Sequence, residues 1–340
     1  MALRRRFQSL TLHHRRAFSS STTTTPRSSS GGIEQTRAAL RLEANPDRIL
    51  DICRSATLTP ESHLDGIVFS KAISKLKELN RHDSIRAFIH AFIHESMNAN
   101  RSERYAAHCI ISYGQSGLIG DAVDLFDKMP ELGIERNIKT LNSLLFSCLL
   151  GHEYSLIRQI FFEHPRKYRL EPNLETYNTV LKGICSPGGA RESHSILAEM
   201  ERKGVKPSKQ TFASVIEGLY SEENFDDGKM LHLMKRYDMS PGIGIYNVRI
   251  QCLCKRRRFA EAKVKDFEGA LWICDDCISN GWFPNVTTMS TLIRGLASTN
   301  KLDEARRLIR LLKKRSRGNA EIWEQIEMEL PNEREIFPTA

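Results

Sequence analysis

The stretch "LETYNTVLKGICSPGGARESHSILAEMERKGVKPS", Leu174 to Ser208, decides the fold. Apolar residues recur at spacings of three and four on both sides of Ser186-Pro187-Gly188-Gly189. Such spacing lines one face of an α-helix. The segment closes on Gly204-Val205-Lys206-Pro207-Ser208. Glycine supplies a left-handed helix stop, and proline forbids continuation. The reading is helix, turn, helix, stop.

The same unit recurs along the chain. Thr176-Tyr177-Asn178 has counterparts at Thr140-Leu141-Asn142, Thr211-Phe212-Ala213, Ile245-Tyr246-Asn247 and Thr288-Met289-Ser290, in steps of 36, 35, 34 and 43 residues. Each triplet opens an apolar helix. A second striped helix follows, as in Ala122, Leu125, Phe126 and Met129, or Ala305, Leu308, Ile309 and Leu312. A period near 35 with two helices per unit predicts an all-α solenoid. One hairpin cannot bury its own stripe. Stacked neighbours bury it between them, and the array curls into a superhelix with a concave face. The units bracket as 66–102, 103–137, 138–173, 174–208, 209–242, 243–285 and 286–320, the first of them divergent. Residues 31–65 read as a partial hairpin cap with Pro46 just inside its second helix. Residues 321–340 read as a cap helix and tail.

The unit 243–285 is eight residues over the period. Phe259-Ala260-Glu261-Ala262 reads as the start of a second helix, and Phe267-Glu268-Gly269-Ala270 reads as the same start again. A junction near Lys263–Val264 that joins two repeats out of phase explains both. A deletion, a splice form and a gene-model error all remain open. The expectation is one long helix around 259–275 that kinks the stack.

The chain has 340 residues and a net charge of +9. Six arginines (Arg4, Arg5, Arg6, Arg15, Arg16, Arg27) fall before residue 31 with no acid among them, which leaves +3 for the rest. Residues 1–30 are also rich in serine and threonine, and Leu3, Phe7 and Leu10 lie at helical spacing among the arginines. That is the pattern of an organelle transit peptide, here mitochondrial, with a processing site after Phe18. A disordered basic tail that binds nucleic acid is the other reading. No run reaches 18 consecutive apolar residues, so no transmembrane helix is expected.

Enzyme chemistry is not expected. Eight scattered cysteines without a secretory signal argue against a disulfide framework. Cys252-x-Cys254 and Cys274-x-x-Cys277 fall inside helical stretches, without a histidine pair at finger spacing, and read as packing cysteines. His90 and His94 are four apart, but Ala91 stands where a zincin needs glutamate. No His-x-Glu, Walker loop or dinucleotide fingerprint occurs. No cofactor, metal or small-molecule substrate is expected.

T-Y-N opening a helix, Gly-x-x-Pro-Asn closing the unit and a period of 35 resemble the pentatricopeptide repeat family, P class, over about 66–320. The wording of "ERYAAHCIISYGQSG" (103–117) and "NAEIWEQIEMELP" (319–331) also resembles a small plant mitochondrial subgroup that includes members associated with the mitochondrial ribosome. The resemblance implies a right-handed superhelical α-solenoid that reads single-stranded RNA at one base per repeat. It implies reading by the fifth and last residues of each repeat. Those pairs are Ser70 with Ser102, Ala107 with Asn137, Asn142 with Asn173, Asn178 with Ser208, Ala213 with Gly242, Asn247 with Asn285, and Ser290 with Asn319 or Ala320. Asn with Asn and Asn with Ser imply pyrimidines, cytosine above uracil. Ala107 and Ala213 offer nothing to a base edge. The second position, which the family fills with an apolar wedge, holds Arg104, Lys139, Glu175, Gln210, Gly244 and Thr287. These departures argue against tight sequence-specific reading. The asparagines read equally as helix N-caps.

Two basic clusters offer phosphate contacts, Lys255-Arg256-Arg257-Arg258 and the last repeat's Arg306, Arg307, Arg310, Lys313, Lys314, Arg315 and Arg317. A solvated face is the plain alternative. The expected function is RNA binding in mitochondria, on a transcript or ribosomal RNA, in support of stability, processing or translation. The alternative is a structural subunit of the plant mitochondrial ribosome, held also by ribosomal proteins. A protein-binding scaffold is the third reading.

Overall fold

A computed structural model describes residues 38–43, 45–57, 66–96, 102–186, 189–221, 227–255, 265–315 and 319–330. The described residues are helices joined by short turns, with no strand among them. The chain divides into two compact units, residues 1–88 and 89–340.

In the first unit a helical turn over 38–42 precedes α1 (Pro46–Thr57) and α2 (Gly66–Glu78), and α3 (His82–Ser96) begins. Pro46 occupies the first helical position, where its missing N–H costs nothing. Asn45 Oδ1 accepts the Asp47 N–H at 2.9 Å. Leu40, Ile49, Ile73, Leu76 and Ile85 are buried, and the Phe69 and Phe88 rings stack at 5.1 Å.

The second unit carries the repeats. Its first helices are α4 (Ser102–Ser116), α6 (Ile138–Leu150), α8 (Leu174–Cys185), α10 (Lys209–Ser221), α12 (Ile243–Lys255) and α14 (Val286–Ser298). Each is followed by a second helix: α5 (Ile119–Lys128), α7 (Tyr154–Tyr168), α9 (Ser193–Arg202), α11 (Asp227–Arg236), α13 (Lys265–Ser279) and α15 (Leu302–Arg315). Every first helix packs on the next first helix along the chain and on its own second helix. The result is one layer of first helices backed by second helices, an α-solenoid of helix-turn-helix units. In α6 this layering buries every side chain from Thr140 to Leu150. A short helix, α16 (Ala320–Met328), closes the far end by burying Trp323 and Ile326 against α15.

The turns between units repeat more faithfully than their sequences. A residue with left-handed φ stands seven positions before each triplet: Gly133, Arg169, Gly204, Asp238 and Gly281. The next residue's N–H reaches back five positions to a carbonyl, from Ile134 to Met129, Leu170 to Pro165, Val205 to Met200, Met239 to Met234 and Trp282 to Cys277 (2.9–3.0 Å). This is the Schellman closure, with its apolar contact across the bond.

Of the two second-helix starts in the long unit, Phe267 lies in α13, buried and seated against Gly295. A Cβ on Gly295 would fall 1.9 Å from the Phe267 ring. The earlier start at Phe259 and the junction at 263–264 lie outside the described residues. So do the segment 1–30 and the tail after Leu330.

Candidate nucleic-acid interface

The predicted reading residues fall on two elements. The last residue of a unit stands at the N-cap of the next first helix. The fifth residue lies inside the first helix, one turn along.

A helix N-terminus leaves N–H groups without intrahelical partners, and a short polar side chain at the N-cap satisfies them. Asn137 Oδ1 accepts from the Lys139 and Thr140 N–H groups at 3.0 and 3.1 Å. Asn173 accepts from the Thr176 N–H at 3.0 Å, Ser208 from Thr211 at 3.2 Å and Asn285 from Thr288 at 2.8 Å. Thr140, Thr176 and Thr211 return the bond, each hydroxyl accepting the cap residue's own N–H at 2.9–3.1 Å. At these three triplets the opening threonine thus completes a capping box. Capping uses the asparagine oxygen and leaves the amide hydrogens of Asn137, Asn173 and Asn285 outside the box.

The fifth residues are tied to the following cap. Thr211 Oγ1 accepts from the Ser208 N–H and donates to Asn178 Oδ1 at 2.6 Å. Asn247 Oδ1 accepts the Asn285 N–H at 3.0 Å. Backbone N–H only donates, so the Asn285 contact fixes which end of the Asn247 amide is oxygen. Both residues are half-buried, and among the described residues neither Nδ2 has a hydrogen-bond partner, which leaves a two-hydrogen donor for a base acceptor.

Asn142 differs. Its oxygen accepts from Thr176 Oγ1 at 2.6 Å, and its Nδ2 donates to Asn173 Oδ1 at 3.1 Å and to Glu175 Oε2 at 3.2 Å. Only 1% of it is exposed. Of the remaining fifth positions, Ser290 is half-buried on α14, Ala107 is buried and Ala213 is partly exposed. Ser70 is half-buried on α2 of the first unit. Ser102 opens α4, and its side chain lies outside the described residues.

The basic residues lie elsewhere. Lys255 ends α12, while its side chain and Arg256, Arg257 and Arg258 lie outside the described residues. Arg310, Lys313 and Lys314 belong to the second helix α15, off the asparagine row. Lys313 Nζ pairs with Glu327 at 2.5 Å, and Arg307 with both oxygens of Asp275 at 2.8 Å. Arg310 and Lys314 are exposed.

Gln251 enters the site without having been singled out in the sequence, where the triplet threonines marked the repeat and Glu175 a second-position departure. Gln251 Nε2 donates to Thr288 Oγ1 at 2.7 Å. The signal for the threonines was present, because Thr140, Thr176, Thr211 and Thr288 recur three residues after each cap. Cys254, Cys274 and Cys277 are buried in the core between α12 and α15. Burial pushes the Cys274 thiol up to about 12 and the Cys277 thiol to about 11, so both are poor ligands and nucleophiles. Among the described residues no group of three or more His, Cys, Asp or Glu side chains could hold a metal ion. Among the same residues no helix is long and apolar enough to cross a membrane.

Stacked helical hairpins with a ladder of capped asparagines define a class, the helical-repeat proteins with a polar first-helix row. Models of the PPR repeat family match residues 172–221, of the pentatricopeptide repeat domain 124–186, and of the PPR repeat 108–134 and 287–316. A mitochondrial pentatricopeptide repeat-containing protein of Arabidopsis thaliana is 32% identical over 87% of this chain and 88% of its own length. The chain belongs to the pentatricopeptide repeat family. It is also 23% identical to the Arabidopsis thaliana small ribosomal subunit protein mL103 over 81% of this chain, and it spans 65% of that relative's length. The crystal structure of the maize pentatricopeptide repeat protein PPR10 superposes with a TM-score of 0.51 at 19% identity, over 90% of this chain and 45% of that one.

Proposed function

We propose that the chain is a single-stranded RNA-binding protein of plant mitochondria that acts on RNA stability, processing or translation without catalysing a reaction. The observation that carries this is the orientation of the asparagine row. A threonine holds the oxygen of Asn178 and a cap N–H that of Asn247, and at both the amide hydrogens are left for a base. Asn178 with Ser208 and Asn247 with Asn285 are the main reading pairs. Asn137 and Ser290 contribute from neighbouring units. Unpaired bases offer acceptors on their Watson–Crick edge, which duplex RNA hides. Lys255, Arg256, Arg257, Arg258, Arg310 and Lys314 add phosphate affinity without sequence preference. The likeness to mitochondrial relatives and the arginine-rich segment 1–30 support import, with 1–30 as the transit peptide. First helices that begin at 102, 138, 174, 209, 243 and 286 support the bracketing of the repeats.

The second reading is a subunit of the mitochondrial ribosome. It is favoured by the likeness to mL103 and by the loss of Lys313 and Arg307 to internal ion pairs. Crosslinking in isolated mitochondria, followed by sequencing of the bound RNA, separates the two. The reader predicts a short pyrimidine-rich footprint on messenger RNA. The subunit predicts ribosomal RNA and comigration with ribosomal subunits that survives high salt.

A further inference from the structure

We propose that Glu175 closes the 142/173 position to bases, so that this unit passes a nucleotide unread. The proposal rests on the base-reading function above and concerns one rung of it. Asn142 and Asn173 look like a matched reading pair. Asn142, however, is 1% exposed, and both its amide hydrogens are committed, one to Asn173 Oδ1 (3.1 Å) and one to Glu175 Oε2 (3.2 Å). Its oxygen already accepts from Thr176 at 2.6 Å. A base acceptor would have to displace one of these partners. Asn173 is itself engaged, since its oxygen also accepts from the Thr176 N–H at 3.0 Å.

The neighbouring rungs show what makes the difference. Glu175, Gln210 and Thr287 each stand two residues after a cap, in the first turn of α8, α10 and α14. Only Glu175 reaches back to the preceding fifth-position asparagine among the described residues. Gln210 and Thr287 are exposed, and Asn178 and Asn247 keep their amide hydrogens. A carboxylate in the first turn also suits the positive end of the helix dipole, which holds it over the asparagine. The same negative charge repels phosphates of any strand that passes this rung. Because Ala213 offers no polar atom, the expected readout along α6, α8, α10 and α12 is blank, read, blank, read.

The test is selection of the intact chain on a random single-stranded RNA pool, with the bound RNA sequenced. Along these four rungs the wild type should show two preferred nucleotides separated by one indifferent position. Glu175→Ala should add a third preferred position directly beside the Asn178 one, with about threefold to tenfold enrichment, the range one freed hydrogen bond supplies. Glu175→Gln removes the charge but keeps an acceptor. It should raise affinity for all sequences and add no position. Glu175→Ala with Asn142→Ala should lose the third position again. Helix content and melting temperature of each variant show that it folds. A wild type that already prefers a base at the Asn142 position overturns the lock. So does a folded Glu175→Ala variant with an unchanged pattern. A wild type that enriches no base anywhere overturns base reading itself, and the lock with it.

Discussion

At Thr211 a hydroxyl accepts from one repeat's cap and donates to the asparagine of the repeat before it. Two hydrogen bonds thereby tie that asparagine to the cap that follows it. Asn178→Asp keeps the oxygen that Thr211 needs and replaces the outward donor with an acceptor. It should cost about threefold to tenfold in affinity for RNA with the preferred base at that position, and little for other strands, measured by fluorescence anisotropy. Equal loss on all strands would make Asn178 a structural residue. Asn285→Ala removes the α14 cap and should cost about 1 kcal/mol of stability by denaturant unfolding. His108 gives a pH signature. Burial, and then the Arg104 charge, lower it from the ordinary histidine value to about 4. Above about 6.5 neither the folded nor the unfolded state binds the proton. Between about 6.5 and 4 the unfolded state binds it and the folded state does not, so stability falls as pH falls through that window. His108→Gln should flatten that slope. The asparagines were legible in the sequence as candidates for both capping and reading. Capping holds at Asn137, Asn173 and Asn285, whereas Asn142, Asn178 and Asn247 lie inside their helices and do not cap. The closure of Asn142 was not legible, because Asn173 and Glu175 meet it only through the stacking of α6 on α8.

Helix ends follow one rule with two spellings. Gly133, Gly204 and Gly281 take the left-handed turn at little cost, while Arg169 and Asp238 take the same turn with side chains attached. An L-residue with a Cβ pays for that conformation. Arg169→Gly should therefore raise the unfolding midpoint by an amount equivalent to roughly 0.5–1 kcal/mol, and Gly133→Ala should lower it by about as much. The glycine stops were plain in the sequence. The stops at Arg169 and Asp238 were marked only by Pro172 and Pro241 downstream. Close packing was invisible altogether. A Cβ on Gly114 would lie 2.6 Å from the Ser147 Cα, which is backbone and cannot rotate away. Gly114→Ala should force α4 from α6 and cost about 1–3 kcal/mol in the same assay.

Across the repeats of the second unit, the period of the triplets and the period of the turns coincide, and that shared period made the solenoid readable from sequence. Charge was less transparent. Runs of lysine and arginine in the last repeat suggested a phosphate track, but several second-layer cations bridge to acids of an adjacent unit. Arg158 pairs with Glu192, Lys203 with Glu171, Lys301 with Glu268 and Arg307 with Asp275. Such exposed pairs contribute about 0–1 kcal/mol each, and they occupy the cations. Arg310→Ala with Lys314→Ala should make the salt dependence of RNA binding shallower by no more than two phosphate contacts, with base preference unchanged. The central claim is that the first-helix row receives an unpaired strand. It is tested most directly by titrating the intact protein with one pyrimidine-rich RNA, first alone and then annealed to its complement. The account predicts that the single strand binds at least about tenfold tighter, the advantage of exposed base edges over a closed duplex. Equal affinity for both forms, or binding to neither, would contradict it.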